Sequence, residues 1–275
     1  MTPVPPRFTV PADPTNPGQF FACCGLLELA DRLSPGAAGW FSRAGFHLAG
    51  SPTLQELLTA IRDTRFTASA GGGDVESDWD DAVPVFLLDL AAPFGLRLGW
   101  WGEERGLKTW AGSMRVELIA AAMSHAIDPA CPDPLNQATV VFDPPPKRRA
   151  GVRPPKPTKR EPFYFDSRRA SNAHVLDVGF SANDLGLQAL AYPAVEFLCL
   201  VGLERCRPRP VGPPRTFTFW DWTWPVPVPV LPVAVSGELG DPSAVQYRFE
   251  SVFRSGQRKH KAFGPATRVL PERAR

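Results

Sequence analysis

The longest apolar stretch of the chain predicts a buried helix near the N-terminus. Every residue from Phe20 to Leu27 is apolar or glycine. Asn16 followed by Pro17 is a typical helix start. Asparagine caps the first turn, and the N–H that proline lacks has no partner within the helix at that position. A helix that has no polar face until Glu28 belongs inside the protein. The sequence therefore predicts a core helix over residues 16–33.

A weaker copy of this pattern lies in the second half of the chain, over residues 193–206. Five identities recur at a constant spacing: Pro17 with Pro193, Phe21 with Phe197, Cys23 with Cys199, Leu27 with Leu203 and Glu28 with Glu204. Strand-like sequence rich in aromatic residues follows each helix. We predict an α+β fold of two related halves, each a buried core helix followed by antiparallel strands. Chance likeness between two buried helices explains the repeat equally well.

The segment that joins the two halves differs from both. Residues 144–162 contain seven prolines, which remove backbone donors and favour extended chain, so this stretch cannot belong to a core. We therefore divide the chain into an N-terminal α+β half (residues 1–143), a basic Pro-rich loop or linker (144–162) and a C-terminal α+β half with a basic tail (163–275).

The charges of the chain are unevenly distributed, although the net charge is only +2. Residues 1–140 carry 9 Lys+Arg and 16 Asp+Glu, or −7, whereas residues 141–275 carry 21 and 12, or +9. Such asymmetry indicates a polyanion or an acidic partner, and a surface with one acidic and one basic side is the alternative. The candidate nucleic-acid-binding residues are the clustered cations Lys147, Arg148, Arg149, Arg153, Lys156, Lys159, Arg160, Arg168, Arg169, Arg258, Lys259 and Lys261.

The sequence offers little for catalysis. The four histidines have no neighbour at metal-ligand spacing, and the five cysteines have no paired C-x-x-C spacing, which argues against a zinc site and a disulfide framework. A phosphate-binding loop, a nucleophile elbow and a dinucleotide fingerprint are also absent. We therefore predict a non-enzymatic protein without catalytic residues, metal or cofactor. The alternative is a cytoplasmic enzyme with a cryptic thiol or carboxylate site, because such sites assemble only in three dimensions.

The location predicted from the sequence is the cytoplasm. The N-terminus lacks a charged region followed by an apolar one, as a signal peptide would have. No apolar run approaches the roughly 20 residues that a membrane span needs. We accordingly expect no membrane partner.

Several blocks of the sequence carry a family resemblance. They are residues 13–33 (DPTNPGQFFACCGLLELADRL), 107–115 (LKTWAGSMR), 163–169 (FYFDSRR), 177–181 (DVGFS) and 193–208 (PAVEFLCLVGLERCRP), followed by a Trp-rich strand. Together they resemble the small Cas proteins of type I-U (also called I-G) CRISPR systems, which are regarded as divergent large-subunit-like components of Cascade.

The resemblance implies a non-catalytic subunit of an RNA-guided surveillance complex. Its partners would be the crRNA, the target DNA and the other Cas subunits of Cascade. The resemblance further implies a contribution to recognition of the motif that flanks the target and to recruitment of the helicase–nuclease. It assigns none of these roles to an individual residue.

Overall fold

The computed structural model describes residues 4–75, 83–111, 114–145, 157–169, 190–254 and 260–270, with the backbone alone for residues 70–75 and 83–86. The helices are α1 (Pro17–Leu33), α2 (Leu54–Arg62), α3 (Val116–His125), α4 (Pro193–Arg205) and α5 (Leu231–Val235). The strands are β1 (Phe8–Val10), β2 (Ala38–Ser42), β3 (Gly45–Ala49), β4 (Phe66–Val75), β5 (Val83–Leu90), β6 (Leu96–Leu98), β7 (Arg209–Pro210), β8 (Thr216–Trp220), β9 (Val226–Pro227), β10 (Gln246–Phe253), β11 (Lys261–Phe263) and β12 (Thr267–Arg268). The predicted α+β class is confirmed.

Helices α1 and α4, the two predicted core helices, cross at the centre of the molecule. Both are buried along most of their length, as their uninterrupted apolar sequence requires. A Cβ atom added to Gly25 would lie 2.0 Å from the carbonyl oxygen of Leu198, and one added to Gly202 would lie 2.0 Å from that of Phe21. The two glycines therefore let the helix backbones touch, and the contact is reciprocal. Whether the two halves arose by duplication stays a prediction.

Within the described ranges, the strands form three antiparallel sheets, with the orders β1-β3-β2-β9, β4-β5-β6 and β11-β10-β8-β7, and β12 pairs with β10. Strand β9, which follows the Pro-rich segment in the chain, pairs with β2 in the first sheet. The paired residues are Ala38 with Pro227 and Gly39 with Val226. Phe20 of α1 likewise packs against Phe219 of β8, with ring centroids 4.3 Å apart. Residues from both predicted halves thus share one hydrophobic core.

The Trp-rich stretch after α4 belongs mostly to this core. Phe217 and Phe219 on β8 are buried, and so is Trp222 just beyond the strand. The indole nitrogen of Trp222 donates a hydrogen bond of 2.7 Å to the carbonyl oxygen of Gly39. This bond links the C-terminal half to β2. Trp224 alone of this group is exposed, at 39%.

Candidate nucleic-acid interface

The basic Pro-rich segment leaves and re-enters the fold at one place. Phe142 and Lys159 form an antiparallel bridge, and backbone hydrogen bonds of 2.8 and 2.9 Å flank it on either side. The chain just beyond the bridge, residues 144–145 and 157–158, is exposed. Both ends of the cation-rich stretch are therefore held side by side at the surface. We call the paired residues, 141–143 and 158–160, the loop root.

The loop root has two different faces. On one, the guanidinium of Arg160 donates two hydrogen bonds of 2.7 Å to the carboxylate of Asp143. These bonds raise the pKa of Arg160 above its ordinary value, against the opposing effect of burial. Because side chains alternate along paired strands, Phe142 and Lys159 point to the other face, directly opposite each other. The ring of Phe142 is 41% exposed there.

Arg168 and Arg169 are engaged within the fold. The guanidinium of Arg168 donates to both carboxylate oxygens of Asp166, at 2.9 and 2.6 Å, and stacks 3.5 Å from the ring centroid of Tyr192. Arg169 is only 7% exposed and lies 5.6 Å from the ring of Tyr164. These contacts give both arginines a structural role, while their predicted contact with nucleic acid stays a prediction.

Two buried carboxylates explain why the segment 163–169 carries so many polar residues. Glu196 on α4 accepts hydrogen bonds of 3.2 Å from the backbone N–H groups of Phe165 and Asp166. Asp166 in turn accepts one of 2.9 Å from Asn16, the cap of α1. Burial, and secondarily the nearby Asp166, raises the pKa of Glu196 to about 7. Both carboxylates are 0% exposed, so a substrate cannot reach them.

A further group of cations surrounds the start of β11. The ammonium group of Lys261 donates a hydrogen bond of 2.5 Å to the backbone carbonyl oxygen of Arg105. Burial is the main cause that lowers the pKa of Lys261 to about 8. The positive charges of Arg215 and Lys108, which lie near Lys261, contribute part of this lowering. Lys108 itself sits 5.5 Å from the ring of Trp110. Sequence reasoning identified Lys261 but missed Lys108 and Arg215, because neither belongs to a run of adjacent cations.

The predicted interface is thus only partly visible. Lys159 and Arg160 belong to the loop root, and Lys261 belongs to the separate group beside β11. The remaining predicted residues lie outside the described part of the chain: Lys147, Arg148, Arg149, Arg153, Lys156, Arg258 and Lys259.

The described residues provide no assembled metal or thiol chemistry. Among them, no three His, Cys, Asp or Glu side chains are grouped so as to hold a metal ion. The thiols of Cys23 and Cys199 are fully buried, and burial raises the pKa of each well above its ordinary value. A thiol in such surroundings is poorly placed to become a nucleophile. None of the helices in the described ranges has the length and apolarity that crossing a bilayer requires.

Comparison with protein-family models, with curated proteins and with solved structures gave no match.

Proposed function

We propose that this protein is a non-catalytic subunit of a type I CRISPR RNA-guided surveillance complex (Cascade). In that role it binds crRNA or target DNA together with neighbouring Cas subunits in the cytoplasm. It also contributes to recognition of the target-flanking motif and to recruitment of the helicase–nuclease. Two things support the proposal: the resemblance of the sequence blocks to type I-U (I-G) Cas proteins and the geometry of the loop root.

The loop root is the observation that carries the proposal. Seven Lys and Arg residues fall between Lys147 and Arg160 without an acidic residue among them. The bridge between Phe142 and Lys159 holds the two described ends of this stretch side by side at one exposed place. Cations gathered in this way neutralise phosphates and release the counterions condensed on a nucleic acid.

The decisive experiment removes these charges. In the test variant, every cation of the stretch becomes Gln: Lys147, Arg148, Arg149, Arg153, Lys156, Lys159 and Arg160. A matched control changes the same number of exposed arginines elsewhere to Gln: Arg7, Arg43, Arg65, Arg97, Arg209, Arg248 and Arg268. Both variants lose the same net charge, so a general charge effect would weaken binding equally in the two.

We expect the test variant to fold and to bind single-stranded RNA more weakly. The slope of log affinity against log salt should become shallower by about 0.7 for every phosphate that the protein no longer neutralises. Affinity is measured by fluorescence anisotropy over a range of salt concentrations, and assembly by co-purification with partner subunits and RNA. An unchanged affinity and slope, or an equal loss of affinity in the control, would overturn the role of the segment.

The proposal also expects the buried thiols to be dispensable. Cys23→Ser should leave assembly and nucleic-acid binding unchanged, because Cys23 on α1 is fully buried in the hydrophobic core. An activity that this substitution abolished in a folded, assembled protein would favour the enzyme alternative instead.

A further inference from the structure

The loop root presents an aromatic ring that folding does not explain. Phe142 is 41% exposed, whereas its chain neighbour Val141 is 1% exposed. The alternation of the strand places Val141 in the core and turns Phe142 outward. The ring therefore adds little to the hydrophobic core, and its exposed face is accessible to a ligand.

The residue paired with Phe142 in the bridge is a cation. Lys159 lies directly opposite Phe142 in the bridge. The two residues form a non-hydrogen-bonded antiparallel pair, and side chains in such pairs lie close together. On the reverse face, the ion pair between Arg160 and Asp143 ties the two strands to each other. The side chains of Phe142 and Lys159 thus project from the two members of one pair, between the described ends of the cation-rich segment.

We propose that Phe142 is a stacking platform for an unpaired base of single-stranded nucleic acid, with Lys159 beside it at the adjoining phosphate. This inference rests on the proposed function and names the form of nucleic acid that the loop root takes. An aromatic ring next to cations is the combination that binds single strands without reading their sequence, because every base has a π face. In a duplex those faces are already stacked on one another, so a duplex offers this ring little.

Charge complementarity favours a nucleic acid over a protein at this position. The stretch beginning five residues after Phe142 carries seven cations and no acid, which matches a polyphosphate. Trp224 makes a useful contrast, since it is 39% exposed but follows Thr223, whose N–H and hydroxyl both donate to the carboxylate of Asp241. Asp143 follows Phe142 in the chain, but its carboxylate lies on the opposite face and is paired with Arg160. The carboxylate of Asp241 beside Trp224 is held by the neutral donors of Thr223, so its charge disfavours a phosphate backbone there.

The test uses the full chain and a fluorescein-labelled oligouridylate of 20 residues (roughly one to five site sizes of a single-strand-binding module). Phe142→Ala and Phe142→Leu should each weaken binding roughly 5- to 100-fold, because one base no longer has a ring to stack on. The salt slope should not change, since stacking neutralises no phosphate. Phe142→Trp should bind at least as tightly as the unmodified chain, and Trp224→Ala should have no effect.

Lys159→Gln provides the complementary signature. It should weaken binding together with a salt slope that is shallower by about 0.7, as expected for one phosphate contact on a single strand. Competition with unlabelled double-stranded RNA of equal length should be poorer for the unmodified chain than for Phe142→Ala, in which stacking no longer favours the single strand. Melting temperatures establish that each variant is folded, and Leu at position 142 keeps the apolar surface while removing the ring.

Three results would overturn the inference, and they are distinguishable. If the unmodified chain binds the oligouridylate with a salt slope that the seven-cation variant reduces, while Phe142→Ala and Phe142→Leu bind normally, the stacking platform is wrong and the proposed function stands. If Phe142→Ala instead disturbs only co-purification with partner subunits, the ring docks a protein. If neither the chain nor its assembled complex binds nucleic acid at low salt, both proposals fail.

Discussion

The crossing of α1 with α4 and the loop root use the same kinds of residue in opposite ways. At the crossing, aromatic rings such as Phe21 are fully buried, and the cation Arg205 is turned onto the carboxylate of Glu28. At the loop root, the ring of Phe142 faces outward and lies opposite Lys159. At the crossing the ion pair lies against the buried helices, whereas the loop root combines one ion pair, Arg160 with Asp143, with an outward-facing ring opposite a second cation. The first region therefore determines stability, and the second is the place to look for binding.

Two buried glutamates sharpen this comparison within the helix pair itself. Glu28 on α1 is desolvated, but hydrogen bonds from Arg205 and Arg32 outweigh the desolvation and lower its pKa. Glu196 on α4 is desolvated as well and is held by backbone N–H groups, so its pKa rises to about 7. The two guanidinium groups thus outweigh burial at Glu28, whereas the two backbone N–H groups do not outweigh it at Glu196.

The largest effect is expected from removing an aromatic ring at the crossing. Phe21→Ala should lower the free energy of unfolding by about 3–5 kcal/mol, through reduced burial and the cavity left behind. Phe21 is 0% exposed and packs edge-on against Phe219 at 5.3 Å. Urea denaturation measures the change. The control Leu270→Ala, at a position 81% exposed, should change stability by no more than about 0.5 kcal/mol.

The close approach of the helices predicts that Gly202→Ala is destabilising. In an exposed helix, Gly to Ala stabilises by roughly 1 kcal/mol, because alanine is the better helix former. Here the added Cβ would overlap the backbone oxygen of Phe21, so we expect a loss of about 3 kcal/mol from overpacking. Gly25→Ala should behave in the same way at the reciprocal contact. A rise in the unfolding midpoint for either variant would show that the backbones do not touch.

The glutamate comparison predicts opposite dependences on pH. The pKa of Glu196 is about 7 in the folded protein and about 4.5 when unfolded, so between these values the folded state holds a proton that the unfolded state has released. Stability contributed by this group is therefore present below pH 4.5 and is lost as the pH rises to 7. Glu196→Gln should abolish that decline, gaining on the unmodified protein by roughly 1–3 kcal/mol across the window.

Glu28→Gln is the matched comparison for this experiment. The folded pKa of Glu28 lies below its ordinary value, so its stabilisation is present above pH 4.5 and is lost as the pH falls. The Gln variant should therefore be less stable than the unmodified protein at neutral pH, with a difference that shrinks in acid. Urea denaturation series from about pH 2.5 to pH 8 cover both windows, and the same trend in both variants would contradict the comparison.

The smallest effect is expected at the back of the loop root. The side chains of Arg160 and Asp143 are 23% and 27% exposed, and pairs of this kind contribute at most about 1 kcal/mol. Arg160→Gln should therefore change both stability and RNA affinity only slightly, because its guanidinium is occupied by Asp143. A shallower salt slope for this single variant would show instead that Arg160 leaves its carboxylate to contact a phosphate.

Local patterns were enough to predict the elements of the core. The core helix predicted over residues 16–33 is observed as α1, Pro17–Leu33, with Asn16 as its cap. Its apolar run and its capping residues are adjacent in the chain, so they act before any tertiary contact forms. The second core helix, α4, was found for the same reason, and the α+β class followed from the alternating stretches between them.

Tertiary structure alone decided what the charged residues do. Nothing near Arg168 in the sequence shows that its guanidinium stacks on Tyr192, and nothing near Lys261 reveals Lys108 and Arg215. The pairing of Phe142 with Lys159 was equally invisible, because it depends on where the chain returns after the prolines. Burial follows from hydrophobicity, which each residue carries with it. The fate of a charge depends on its neighbours in space, and those neighbours are determined by the path of the whole chain.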